Sequence, residues 1–553
     1  MIKNNSINKE ILIALGAFLL FIPFLGGVHL FDWDEINFAE SAREMILTGD
    51  FLTVQIDFTP FWQKPPLFIW MQVISMKLFG INEFAARFPN VICGMLSMVI
   101  LFRTGKRIYD AEFGWIWVLS YIGSLLPFLY FKSGIIDPWF NLFIFTALVN
   151  LIFFLEADRG QKRWQNLVLS AVLLGLANLT KGPVSILLFG LTIAVFWIVH
   201  KFRLKIMWTE ILAFILILSV VGGLWFIIQI AIGNFYVILE FIQYQVRLLK
   251  TQDSGHGGFL FYHFLVLLIG VFPVSVFALK GFRRSYYDSY FQKRFKRWMI
   301  VLFWIVLVVF TLVKTKIAHY SSLCYFPLTF LGAYVIYKVI HNRIKNYRWL
   351  NIIYAVLGFV IGIGFMVTPI LASNIDWILD LGFFPDPFAQ ANIKSDVHWT
   401  GSEGLIGLLL ILGVIGSLIL LKHNKKRAYI VMFLNVTLFL NLVLFFTASK
   451  IEGYSQSALI EFCEERQGED CYVSTLGMKS YAHLFYTKKP VPVNKNSLDL
   501  NWLLQGEIDK PAYFLLRSKT LERFQTQYPD LDLIYEKNGF SFCRRMSPEH
   551  LED

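Results

Sequence analysis

The sequence predicts a mainly α-helical polytopic membrane protein followed by a small soluble α/β domain. Of its 553 residues, 56% are hydrophobic and only 16% charged, against about 25% charged in a soluble domain. Most of the chain therefore cannot face water. The apolar residues also fall into uncharged stretches separated by basic clusters, and after residue 448 the composition turns soluble.

A spanning helix needs roughly 20 apolar residues. Thirteen stretches approach that: 11–31, 88–102, 113–131, 135–155, 166–179, 183–199, 211–232, 259–279, 298–313, 318–337, 349–371, 403–421 and 428–447. The first follows MIKNNSINKE like a signal sequence but lacks a small-residue cleavage site, so we expect a retained helix. Alternate loops are basic. Placed inside, they hold 26 of the 50 Lys and Arg and seven acids, a net charge of +19 against −8 elsewhere. The positive-inside rule then puts the N-terminus in the cytoplasm and, with thirteen spans, the C-terminus outside. The net charge of +11 is thus a matter of topology, and no nucleic-acid partner is expected. The five cysteines are too scattered for a disulfide framework or a CxxC metal site.

Residues 1–448 are expected to form the membrane domain. Its first outer loop, 32–87, contains WDEINFAESAREMI and PPLFIWMQVISMKLFG, read as helices lying along the membrane face. Residues 449–553 alternate strand-like runs (CYVSTL, AYFLLR, LDLIYEK and FSFCRR) with helical ones. The last two runs are joined by Asn-Gly, a hairpin signal.

Span interiors carry almost no ionisable residues, which disfavours a transporter. Polar residues gather instead at the outer ends of spans: Asp34, Glu35, Lys64, Arg87, Asp137, Lys181, His256, Lys314, Lys316, His319 and Tyr320. The lysines sit beside Pro, Gly or short turns, where topology gives no reason for cations. Together they suit a shared anionic ligand such as a phosphate, where any one alone could snorkel to lipid head groups. Asp34 and Glu35 could equally serve as first-turn acids of a helix, and Asp137 could simply precede a proline-started one.

The ordered motifs FDWDEINFAESAREMILTGDF, FWQKPPLFIW, LFGINEFAARFPN, LTKGPV and KTKIAHY resemble those of the GT-C membrane glycosyltransferases, the superfamily of lipid A aminoarabinose transferases and dolichyl-phosphate-mannose protein mannosyltransferases. The bacterial aminoarabinose branch is the most similar, over roughly residues 11–340. The resemblance implies a GT-C fold in a bacterial inner membrane with a periplasmic C-terminal domain. It also implies transfer of a sugar from a polyprenyl-phosphate donor to a lipid, protein or glycan acceptor. By that resemblance Asp34, with Glu35, is the catalytic acid of the first outer loop. Lys64, Arg87, Lys181, Lys314 and Lys316 form the donor-phosphate set, and Asp137, His256, His319 and Tyr320 line the cavity. Bacterial relatives often place Glu before the motif lysine, paired at a metal position with a later histidine to which His256 corresponds. Here that residue is Gln63, and Asn37 stands where those relatives have Arg.

The chemistry can also be argued directly. A polyprenyl phosphate leaving group has a second pKa of about 6, so it needs positive charge and no general acid. The acceptor hydroxyl needs a base, for which Asp34 is the first choice, and direct attack inverts the anomeric centre. No cofactor is expected to be required, a divalent metal at His256 being the alternative. No P-loop or GxGxxG is present. A monomer is expected, in contact with membrane lipids. A ligase or polymerase of lipid-linked glycans is the competing enzyme reading, and a lipid or glycan transporter the non-enzymatic one.

Overall fold

The computed structural model describes residues 2–32, 34–201, 206–250, 257–283, 287–382 and 384–547. All thirteen apolar stretches contain helix. The chain begins with α1 (Ile2–Phe21), α2 (Asp34–Thr48), α3 (Leu67–Phe79), α4 (Glu83–Ile108), α5 (Ala111–Ile122), α6 (Leu125–Tyr130), α7 (Asp137–Glu156), α8 (Gln161–Lys181), α9 (Val184–Val199), α10 (Trp208–Ala231) and α11 (Phe235–Lys250). It continues through α12 (Tyr262–Gly270), α13 (Val274–Gly281), α14 (Tyr290–Leu312), a 3-10 turn (Ala318–Cys324), α15 (Tyr325–Ile340), α16 (Arg348–Ala372), α17 (Ile375–Asp380), α18 (Pro387–Ile393), α19 (Gly404–His423) and α20 (Lys425–Gly453).

Among the described residues, eight helices are long and apolar enough to cross a membrane, or nine if α12 and α13, bent by 115°, are one span. The other stretches fall short for local reasons. α1 stops at Phe21, ten residues before the expected end, where Pro23 and Gly26-Gly27 follow. The 113–131 stretch breaks between α5 and α6 at Gly123, where a Cβ would stand 2.4 Å from Phe433 Cβ, so α20 packs directly on that turn. α9 has 16 residues, about 24 Å at 1.5 Å per residue, less than the ~30 Å hydrocarbon core. α7 and α15 are buried along nearly their whole length and form the centre of the bundle, whereas α10 exposes Leu212, Leu216, Val220 and Ile227. A lipid-facing helix shows that apolar outer surface.

The first outer loop differs from expectation. Every residue of α2 from Glu35 to Met45 is buried, so it does not lie on the membrane face as an amphipathic helix. Its charged side chains Glu40, Arg43 and Glu44 are tolerated inside because they find partners there: Arg43 binds Glu40 bidentately at 2.8 and 2.6 Å, and Glu44 accepts the N–H groups of Asp57 and Phe58. Satisfied pairs of this kind make burial tolerable.

Past α20, helix α21 (Ser457–Glu465) leads into a four-stranded sheet of order β3-β4-β6-β5, where the short β1 (Gln55–Ile56) and β2 (Thr59–Pro60) form a separate ribbon in the first loop. β3 (Tyr472–Thr475) runs parallel to β4 (Ala512–Arg517), and β5 (Asp532–Lys537) and β6 (Phe540–Arg545) form the expected hairpin. Its turn uses Asn538 and Gly539 at φ 51° and 76°, the left-handed pair a two-residue hairpin demands. Leu459, Ile460 and Phe462 of α21 join the membrane bundle's own apolar core. Polar contacts reinforce the union, with His29 Nδ1 2.6 Å from Glu452 Oε1 and the Leu30 N–H donating to the Tyr486 hydroxyl at 2.6 Å.

Candidate active site

A cleft of about 340 Å³ opens at one end of the helices, lined by the start of α2, the loop before α3, the start of α7, the end of α8, α11, the 3-10 turn and one residue of the C-terminal region. Asp34, Glu35, Lys64, Asp137, Lys181, His319 and Tyr320, all read from the sequence as functional, line it together with Gln63 and Asn37. They arrive from segments up to 286 positions apart because helix termini cluster at one face: Asp34 and Asp137 begin α2 and α7, and Lys181 ends α8. Those placements also suit the helix dipoles, acids at N-termini and a cation at a C-terminus.

The charges form a chain. Lys181 Nζ lies 2.6 Å from Asp137 Oδ1, while His319 Nε2 lies 3.9 Å from Asp137 Oδ2 and 3.3 Å from Asp34 Oδ2. Tyr320 faces Lys181, its ring centre 5.2 Å from Nζ, and Lys64 Nζ is 5.4 Å from the Tyr244 ring centre. Burial opposes ionisation of Asp34, but contact with His319 and the charges of His319, Lys181 and Lys64 outweigh it and hold the carboxyl at about 2. Asp34 is therefore a fixed anion. The 3-10 turn that carries His319 is itself held by Ser322, which donates to the His319 carbonyl and contacts the Tyr130 hydroxyl at 2.8 Å and Asn141 Nδ2 at 2.8 Å. Asn141 is one turn after Asp137 on α7, so a single helix sets both.

Three expected site residues have other duties. Arg87 uses all five of its N–H donors internally: Nε and Nη2 to Glu35 at 3.0 and 2.8 Å, and the rest to the carbonyls of Leu25, Val28 and His29 at 2.8–2.9 Å. A guanidinium has five donors, so none is left for a phosphate. Glu35 is the other half of that knot and also accepts the N–H groups of Phe31 and Gly134. It reaches the cleft wall with its oxygens engaged by Arg87, Phe31 and Gly134, and although burial opposes ionisation, Arg87 holds its carboxyl below the usual range. Lys316 spends its three donors on the carbonyls of Phe310, Thr311 and Val313, closing the C-terminal end of α14. Lys314 is exposed and outside the cleft, and His256 lies outside the described residues.

Sequence reasoning missed Asp32, Tyr244, Arg247 and Lys479, which also line the cleft. Asp32 was legible as the third acid of FDWDE. Lys479 carries no local signal, because only the packing of the C-terminal region brings it within reach. The family's metal position is not matched among the described residues: Gln63 supplies no charge, and no group of three His, Cys, Asp or Glu side chains is arranged to hold an ion.

The match to the family model described as Dolichyl-phosphate-mannose-protein mannosyltransferase covers residues 63–225. The undecaprenyl phosphate-alpha-4-amino-4-deoxy-L-arabinose arabinosyl transferase of Photorhabdus laumondii is 25% identical over 58% of this chain and 59% of its own length. The enzyme of the same name from Pectobacterium carotovorum is 24% identical over 74% and 76%. The crystal structure of ArnT from Cupriavidus metallidurans bound to undecaprenyl phosphate superposes with a TM-score of 0.77 at 16% identity, covering 97% of this chain and 98% of ArnT. The chain is thus similar to these transferases in sequence over part of its length and to ArnT in fold over nearly all of it. Its apo counterpart matches with a TM-score of 0.73. The chain spans about three-fifths of the Photorhabdus relative it matches in sequence, while its fold matches that of ArnT over 97% of its length.

Proposed function

We propose that this chain is an integral membrane glycosyltransferase that moves one sugar, of the aminoarabinose class named for its relatives, from undecaprenyl phosphate to an acceptor hydroxyl. The observation that carries this is the convergence of Lys64 and Lys181 on Asp34 in one cleft at the helix ends. The acceptor is a lipid, protein or glycan, with lipid A the first to test.

The leaving phosphate needs cations placed in advance in a poorly solvated site. Lys181 is pre-positioned by Asp137, and Lys64 stands across the cleft beside Tyr244. The resting site is nearly self-neutralised, so the phosphate shares or replaces Asp137 at Lys181. Asp34, a carboxylate at every working pH, faces the positive charge that grows on the anomeric carbon as its bond to phosphate lengthens. A single attack by the acceptor inverts that carbon. Basic alternate loops support a cytoplasmic N-terminus and a periplasmic cleft and C-terminus in the inner membrane. The enzyme works as a monomer without a required cofactor.

The test is incubation of purified protein with a panel of undecaprenyl-phosphate sugars and acceptors, read by mass spectrometry. Transfer of one sugar supports the reading. Transfer of assembled chains points to a glycan ligase instead, and dependence on a nucleotide or an ion gradient contradicts it.

A further inference from the structure

The loop that carries Lys64 leaves a turn that its own sequence does not favour. β1 and β2 pair Ile56 with Thr59, so Asp57 and Phe58 are the two residues of the connection, at φ 57° and 54°. A two-residue hairpin turn with both residues in the left-handed region is ordinarily made by Asn-Gly or Asp-Gly, as at Asn538-Gly539. Phe58 stands where a glycine belongs. A bulky residue in that region is strained, persists only where its surroundings over-determine it, and such strain gathers at functional sites.

Two elements hold the turn from outside the ribbon. From α2, the buried Glu44 takes the N–H groups of Asp57 and Phe58, one on each carboxylate oxygen, at 2.6 and 2.9 Å. From the C-terminal region, 432 positions away, Lys489 Nζ binds the Asp57 carboxylate. Lys489 is itself fixed. It follows α22 (Ala482–Tyr486), to whose Leu484 carbonyl it donates its N–H at 3.1 Å, and its own carbonyl accepts from Arg43 Nη1 at 2.9 Å. Arg43 is locked in turn on Glu40.

The path from this turn to Lys64 has little freedom. The Phe61 N–H extends the ribbon by donating to the Val54 carbonyl at 2.7 Å, Trp62 is buried against Trp225, and Pro65-Pro66 follow Lys64 directly. Phe61, Gln63 and Lys64 then line the cleft. A shift of the turn is therefore passed on to Lys64.

Resting on the reading above in which Lys64 meets the donor phosphate, we propose that Glu44, Asp57 and Lys489 are positioning residues that hold the strained turn and so set Lys64 against that phosphate, making the C-terminal region part of the support of the donor site. None of the three lines the cleft, so each acts only through the loop. An ion pair that merely docked the C-terminal region would change stability without depending on Lys64.

The experiment is a double-mutant cycle on undecaprenyl phosphate affinity, measured on the full-length protein in detergent. Lys489→Met keeps the apolar stem and removes the charge. Asp57→Asn breaks the same pair from the other side with a residue that tolerates the left-handed region. Each should weaken affinity on the order of tenfold in the wild-type background, and by less than about twofold once Lys64 is already alanine, because the loss passes through Lys64. Neither loss should exceed that of Lys64→Ala alone. Unchanged affinity in either variant, or equal losses with and without Lys64, overturns the positioning role. So does a loss larger than that of Lys64→Ala, which marks general unfolding. Wild-type affinity in Lys64→Ala itself overturns the reading of Lys64 as a phosphate ligand, and this proposal with it.

Discussion

His319 Nε2 stands 3.3 Å from Asp34 Oδ2, joining the first outer loop to the turn before α15 across 285 positions of sequence. Burial opposes ionisation of Asp34, but that contact, with the charges of His319, Lys181 and Lys64, holds its carboxyl well below the usual carboxylate range.

Only lysines inside the cleft should affect the donor. Lys64→Ala is expected to weaken undecaprenyl phosphate binding by about 1.5 to 3 kcal/mol, as for a hydrogen bond to a charged group. Lys314→Ala, on an exposed residue outside the cleft, should leave affinity unchanged. Titration calorimetry or microscale thermophoresis in detergent checks both. Equal affinity in Lys64→Ala would return that residue to the membrane interface as a snorkelling lysine.

Arg87 should act on stability. Arg87→Ala strands the buried Glu35 carboxylate and three carbonyls, and removing one partner of a buried pair costs about 3 to 5 kcal/mol. Arg87→Lys should recover little, because an ammonium cannot reproduce the five-donor fork. Thermal unfolding in detergent measures this, and a variant of normal stability with weakened donor binding would restore Arg87 to the phosphate set.

The contrast between Lys64 and Arg87 shows what the sequence could tell. Helix-forming stretches, the Asn538-Gly539 hairpin and the clustering of Asp34, Asp137, Lys181 and His319 in one cleft at helix ends were all legible, since each follows from apolar length, turn chemistry or position relative to a span. What sequence could not show was how each side chain spends its donors. Arg87, Lys316 and Lys64 look alike as basic residues near outer span ends, yet two of them saturate their donors on nearby carbonyls or an acid. The inward polar face of α2 was equally hidden, because an amphipathic pattern does not say whether its polar side meets water or buried partners. Lys479 and the clamp of Lys489 on Asp57 depend on contacts more than 400 positions apart.

The topology can be read with introduced thiols, since Cys463 and Cys543 are buried and Cys471 is only partly accessible. Val493→Cys, at a fully exposed position, should label with an impermeant maleimide from the periplasmic side. Lys422→Cys, at an exposed position in the last turn of α19, should label only after the membrane is opened. The reverse pattern would invert the protein.

Chelation should leave activity intact. Gln63 carries no charge, and on the proposed reading Lys64 and Lys181 supply two cations to the phosphate. Transfer that stops in EDTA and returns with Zn²⁺, Mg²⁺ or Mn²⁺ would mean that Asp34 belongs to an ion instead of to His319.

The most direct test of the account compares wild type and Asp34→Asn in single-turnover transfer of aminoarabinose from undecaprenyl phosphate to lipid A, followed by mass spectrometry, with undecaprenyl phosphate affinity measured alongside. The account predicts transfer of one sugar by the wild type and a rate about 100-fold or more lower in the variant, the scale expected for one preorganised electrostatic group. Donor affinity should be unchanged or tighter, because the substitution removes an anion from beside Lys64 and Lys181. Near-normal turnover in Asp34→Asn, or no transfer by the wild type, would contradict it.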